Sequence, residues 1–194
     1  MEQSVDLMEV GDEVGEFITV RSLELLIQWL HIGRVVVGKI SPRGEIDAIV
    51  EFVRLADMCG VTGMENTMAE RIKTLILANP PPIDFETSYF KNRDPNTNTF
   101  CITSQAVRSA SLLPNDNHPV RAIFAMAAVE GYLRSDKHKF LKETRDVPNF
   151  AFDVLKAVKL TLLTLRLPPH GEGGVDFTEP ISGMTLKIEI NPRA

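Results

Sequence analysis

The chain is short of cysteine, of the larger aromatics and of unbroken apolar runs. In 194 residues it has two cysteines, one tryptophan and two tyrosines. Cys59 and Cys101 lie in different segments with no CxxC or His/Cys spacing, which excludes a disulfide framework and reads as a reduced pair of thiols. No apolar run reaches the roughly 18 to 20 residues of a spanning helix; the longest, around Ile123 to Val129 and Leu160 to Leu167, are short or interrupted. The acidic start MEQSVDLMEVGDEVGE has neither the basic nor the apolar region of a signal peptide. The expectation is a globular protein held inside the cell, cytoplasmic or nuclear, and off the membrane.

The signatures of chemistry are missing as well. His31, His118, His138 and His170 are scattered, without the i, i+4 or short-loop spacing that puts two imidazoles on one metal. His138 and Lys139 read as part of a solvated charged run. Gly171, Gly173 and Gly174 have no GK[ST] sequence and no GxGxxG beside them, so HGEGG reads as a flexible linker rather than a phosphate cradle. There is no GxSxG elbow. Net charge is −5, with six acidic side chains and no basic one in residues 1 to 16. From 121 to 145 six Lys or Arg face three acids, too dilute a basic face for nucleic acid. No catalytic residue, no cofactor and no metal site is expected.

What the chain does have is helical periodicity. In residues 16 to 31, Phe17, Val20, Leu23, Leu26, Ile27 and Leu30 recur at spacings of three and four and predict a helix with one buried stripe. Gly33 stops it, and Val35, Val36 and Val37 favour an extended exit. Ser41 and Pro42 open a helix to about residue 58 that buries Ile46, Ile49, Val50, Val53 and Ala56, with Gly60 as its stop. Thr62 and Glu65 match a capping box for a helix to about Leu77, with Met64, Met68, Ile72, Leu75 and Ile76 inward.

The run NPPPIDF, residues 79 to 85, then breaks the pattern, because proline removes donors and clashes with the preceding turn. A turn-rich stretch follows, expected to be pinned by Phe85, Tyr89, Phe90 and Phe100. Thr103 caps a short helix with a staple between Ile102 and Val107. Pro119 opens another, with Val120, Ile123, Phe124, Ala127 and Gly131 inward. The last helix, about 149 to 166, places Ala151, Val154, Leu155, Val158, Leu162 and Leu165 on one face. MTLKIEI alternates Met184, Leu186, Ile188 and Ile190 against polar residues, a half-buried strand that needs a partner, either Val175 to Phe177 in a hairpin or another edge.

The order SVDLMEV, EFITVRSLELLIQWLHIGRVVV and EIDAIVEFVRLADMCGVTGMENTMAERI resembles the second half of a BTB/POZ domain of the fungal type. The residues that carry the resemblance are Val5, Asp6 and Leu7 for a strand, Trp29, Leu30 and Gly33 for a WLYTG-like turn, Leu55, Ala56 and Asp57 for the next helix and Asn66 for the last. HPVRAIF and VPNFAFDVL are similar to the helical extension that follows many such domains. His31 and Ile32 stand where the family has tyrosine and threonine. The resemblance implies that the family's earlier strands and helices, which supply its usual dimer face and part of its cullin-contacting surface, are not in this chain.

The expected architecture is mainly α (α+β): a truncated BTB/POZ-like helical unit over 1–78, a linker loop over 79–101, a helical extension over 102–167, and a flexible linker with a terminal strand or hairpin over 168–194. The expected function is a non-catalytic intracellular protein–protein interaction module. Phe17, Trp29, His31 and Ile32 form its partner-binding or packing surface, and Trp29 serves as a packing anchor. The expected partner is a protein, with self-association open and with neither nucleic acid nor membrane. Two rival readings are a substrate adaptor of a cullin-type ubiquitin ligase and a small enzyme with an unadvertised site. Two orphan strands, 4–8 and 184–190, are expected to pair with each other if neither finds a nearer neighbour.

Overall fold

In the computed structural model, which describes residues 18–82, 93–167 and 174–188, the chain enters its first helix at Thr19. Thr19 is extended, and its Oγ1 accepts the Ser22 N–H at 3.1 Å, so α1 runs Val20–Ile32. Its far end is closed by Gly33 at φ +63, as the sequence predicts. Ser41 caps α2 (Pro42–Met58) by accepting from Gly44, with Pro42 in the first turn. At the other end the Val61 N–H reaches the Ala56 carbonyl and the Gly60 N–H that of Asp57. This double closure is a Schellman turn, and it requires the left-handed Gly60 at φ +67. The five α2 side chains expected inside are all buried.

The start of α3 (Glu65–Ala78) differs from the expected capping box. Its cap position is Met64, with no side-chain cap, and Glu65 Oε2 instead accepts the Gly63 N–H at 2.8 Å. Thr62 lies outside the helix because Gly63, at φ +101, turns the chain between them. Met64, Met68, Ile72 and Ile76 are buried, with Leu75 packed alongside.

A 3-10 turn at Thr97–Thr99 leads into α4 (Ser104–Ala110), where Thr103 Oγ1 accepts from Ala106 at 2.9 Å. Ile102 and Val107, the expected staple, are both fully buried. Then come α5 (Pro119–Arg134), α6 (Leu141–Asp146) and α7 (Pro148–Leu162). α5 packs against α3, α4 and α7 and buries residues all round its circumference, so it is the central helix rather than a one-faced one. α6 has no counterpart in the sequence reading. One continuous apolar core runs from Leu25 and Leu26 of α1 to Val158 of α7 and on to Ile181, so the described part of the 79–101 stretch is built into it. Phe100 is 40% exposed; Asn98, Thr99 and Cys101 are the buried residues there.

Two helix faces are rotated from their expected positions. α1 turns Ser22, Leu25 and Leu26 inward, leaving Val20, Leu23, Ile27 and Leu30 exposed. α7 buries Phe150, Asp153, Val154, Ala157, Val158 and Thr161, while Leu155, Leu162 and Leu165 are outside. In both helices an apolar stripe exists where the sequence has it, but the core takes the neighbouring face. His138 is buried rather than solvated, its ring 5.6 Å from that of Tyr132. Lys139 Nζ donates to the Thr99 and Phe100 carbonyls at 2.6 and 3.1 Å.

The chain closes with an antiparallel hairpin, β1 (Val175–Thr178) and β2 (Thr185–Ile188), in the register Val175 to Ile188. The terminal strand therefore takes the hairpin partner; the other candidate, residues 4–8, lies outside the described residues, as do Phe17, Phe85, Tyr89, Phe90 and Ile190. Met184, expected inward, precedes β2 and is half exposed. Gly174 is not slack linker: it is buried at φ +148, and a Cβ there would lie 2.5 Å from Lys187 Cε and 2.8 Å from the Ile188 carbonyl oxygen. The fold is thus mainly helical with a small terminal hairpin. No helix among the described residues is long and apolar enough to cross a membrane.

Candidate functional site

Ridge positions on α1 decide what this helix presents. At about 100° per residue, Ser22, Leu25, Leu26 and Trp29 point toward the core, and Val20, Leu23, Ile27 and Leu30 line up about 130° away. Their exposures are 75%, 46%, 49% and 61%. Single exposed leucines are ordinary on a protein surface, and a contiguous row of four is the candidate contact face among the described residues. Ile18, 55% exposed just before the helix, lies at its end in sequence. His31, Glu24 and Gln28 border the far flank.

Of the four predicted surface residues Phe17 lies outside the described residues, and the other three do not share one face of α1. Trp29 is half-buried against the core, its Cζ2 4.0 Å from where a Gly63 Cβ would stand, so it is the packing anchor expected of it. His31, about 160° round the helix from Trp29, is exposed beside the stripe in the last turn of α1. Ile32 is exposed on the side opposite the stripe. The exposed row instead comes from the stripe that the spacing predicts as buried, of which only Leu26 is inside.

A second candidate is a cavity of about 300 Å³ where α2 and α3 meet the loop into α5, lined by Asp57, Glu65, Asn66, Asn115 and His118 among others. His118 is buried and caps α5: its Nδ1 accepts the Val120 N–H at 3.2 Å. That bond places the ring proton on Nε2 in the neutral form, and burial lowers the imidazole pKa against the opposing pull of Glu65 and Asp57. The ring's helix-capping nitrogen is thus occupied. The cavity holds no serine, cysteine or lysine to act as a nucleophile, and no group of three metal-ligating side chains exists among the described residues.

The most heavily buried charges are structural. Arg121 and Asp153 pair side by side between α5 and α7, Nε to Oδ2 at 2.8 Å and Nη2 to Oδ1 at 3.2 Å. The remaining Arg121 nitrogen donates to the carbonyls of Leu113 and Asn115. Glu130, fully buried in the middle of the molecule, meets Arg134 at 2.5 Å and Arg93 at 3.2 Å. Arg93 in turn donates to Asn98 Oδ1 at 2.8 Å and to the Met184 sulfur at 3.1 Å, tying the hairpin to the helices. Arg121 and Arg134 belong to the basic 121–145 segment of the sequence; the signal of their burial there is their place on a helix whose other residues are almost all apolar.

Burial pushes the Glu130 carboxyl up to about 7, against the opposing pull of Arg93 and Arg134. The folded state therefore binds this proton more tightly than the unfolded chain, whose glutamate titrates near 4.5. Its contribution to stability is complete below about 4.5 and is lost as pH rises through about 7. Unfolding free energies measured between pH 4.5 and 8 should accordingly show a downward component with rising pH that Glu130→Gln removes. An unchanged slope in that variant would contradict the assignment.

No family model, curated protein or solved structure matches the chain. Its function is therefore argued from α1 and the cavity themselves.

Proposed function

We propose that the chain is a non-catalytic protein–protein interaction module of BTB/POZ type, and that the exposed stripe of α1 is its contact surface. The observation that carries this reading is the stripe: Val20, Leu23, Ile27 and Leu30 face solvent in one row, although their sequence pattern is that of a buried face. Covering such a row removes apolar surface from water at about 25 cal/mol per Å², the ordinary driving force of helix-face recognition. The BTB/POZ assignment adds the residues quoted for the resemblance, notably Trp29, Gly33 and Leu55 to Asp57, which here form a packed helix end, a left-handed stop and the close of the next helix. The intended partner is a protein inside the cell.

The test is site-specific photo-crosslinking in cells. A benzophenone side chain at Leu23 should give a discrete crosslinked protein band, whereas the same group at Glu70, exposed on α3, should give none. Equal labelling at both positions, or none at either, rejects the α1 surface.

A further inference from the structure

The cavity where α2 and α3 meet the loop into α5 has a floor and a rim of different character. Val53, Met64 and His118 make the floor, 1%, 1% and 7% exposed. Asp57 and Asn66 stand in solvent at the rim, with Glu65 partly buried beside them. His118 turns Nδ1 to the Val120 N–H, so its ring proton is on Nε2. That N–H meets no acceptor among the described residues, although the ring is more than nine-tenths buried and lines the cavity. The rim carboxylates are unused as charges too: Glu65 accepts the Gly63 N–H, and among the described residues neither it nor Asp57 has an ion pair and no lysine or arginine lines the cavity.

Together these groups restrict what can enter. An ammonium or guanidinium on the floor would set donors against a donor, and an anion would face Asp57 and Glu65. The floor therefore suits an apolar stem that ends in a neutral acceptor, and the rim suits a cation. At about 300 Å³ the cavity is at the low end of ligand sites, which span roughly 300 to 1,000 Å³, so one side chain is the natural occupant. We infer that the cavity binds a straight, carbonyl-tipped side chain of a basic peptide: the carbonyl accepts from His118 Nε2, and a neighbouring lysine or arginine of the peptide pairs with Asp57 and Glu65. Glutamine and acetylated lysine share this chemistry. The site is separate from the α1 row, so it adds a second contact to the proposed module and does not depend on the first.

The probes are labelled pentapeptides of sequence GKXKG, with X acetyl-lysine, glutamine or lysine, titrated against the full chain by fluorescence polarisation up to about 1 mM. At least one carbonyl peptide should bind about tenfold more tightly than the lysine peptide, the worth of one hydrogen bond to a buried donor, and should shift the His118 Nε2–H resonance. Which of the two binds identifies the side chain. Asp57→Lys should weaken that binding by about tenfold or more, because it opposes like charges; a cation in the last turn of α2 is favoured by the helix dipole, so the variant keeps its fold. His118→Ser retains a cap for α5 without the ring, and should erase the preference for a carbonyl over lysine. Where His118→Ser does not fold, Asp57→Lys and the His118 resonance still decide. Failure of both carbonyl peptides to bind overturns the inference, as does equal binding of the lysine peptide, which marks an acidic surface only. Binding that Asp57→Lys leaves unchanged, or that survives replacement of both flanking lysines by serine, overturns the basic-peptide assignment.

Discussion

Asp153→Ala is expected to lower the unfolding free energy by about 3 to 5 kcal/mol, because it leaves the buried Arg121 guanidinium with no counter-charge nearer than the exposed Asp116 carboxylate, 3.9 Å away. Arg121 is 4% exposed and Asp153 6%, so water cannot replace the lost carboxylate. Two of the four Arg121 hydrogen bonds would remain, to the Leu113 and Asn115 carbonyls, which is why the guanidinium stays in place instead of swinging out. The companion experiment is the double variant Arg121→Met, Asp153→Leu. Removing both charges together returns much of the loss, since a buried ion pair contributes little over a well-packed apolar pair of similar volume. The return is incomplete, because the Leu113 carbonyl then lacks its donor, whereas that of Asn115 keeps the His118 N–H at 3.0 Å. Chemical denaturation of the three proteins measures this directly, and a single-variant loss below about 1 kcal/mol would show the pair to be hydrated.

Phe150→Ala should cost a similar amount, about 3 to 5 kcal/mol, while Leu155→Ala, one and a half turns further along α7, should stay within about 0.5 kcal/mol. Phe150 is 2% exposed and meets the Phe140 ring edge-on with centroids 6.0 Å apart; Leu155 is 55% exposed. The contrast matters because periodicity alone ranks the two the other way, with Leu155 on the inward face and Phe150 off it. Comparable losses for the two variants, measured as shifts in denaturation midpoint, would mean that α7 is rotated from the position described.

That pair shows what a sequence can and cannot say about this fold. Helix existence was readable from caps and stops: Ser41, Thr103 and the left-handed Gly33 and Gly60 act locally, so their residue types carry the information, whereas the Thr19 cap lies inside the stretch expected to be helical already. Which face of an amphipathic helix meets the core is a tertiary matter. α1 and α7 each have apolar residues over more than half their circumference, and periodicity cannot choose among faces that all qualify. The capping box at Thr62 failed for a related reason, since Gly63 reversed the chain between two correctly spaced residues. The buried pairs of Arg121 with Asp153 and of Glu130 with Arg93 join positions 32 and 37 residues apart and leave no local pattern. The α1 surface was legible as a stripe, and its exposure was not.

The bond from Arg93 to the sulfur of Met184 spans 91 residues. A hairpin closes among near neighbours in microseconds, whereas a contact that encloses this much chain has a loop-entropy cost to overcome first. β1 is also tied to the chain leaving α7, by the main-chain bridge between Arg166 and Asp176 and by the Thr178 N–H to Thr164 Oγ1, so that end of the hairpin docks through short loops. The Arg93 to Met184 bond is the late seal, made once Glu130 holds Arg93, and its loss would free the Met184 end of the hairpin before the α7 end.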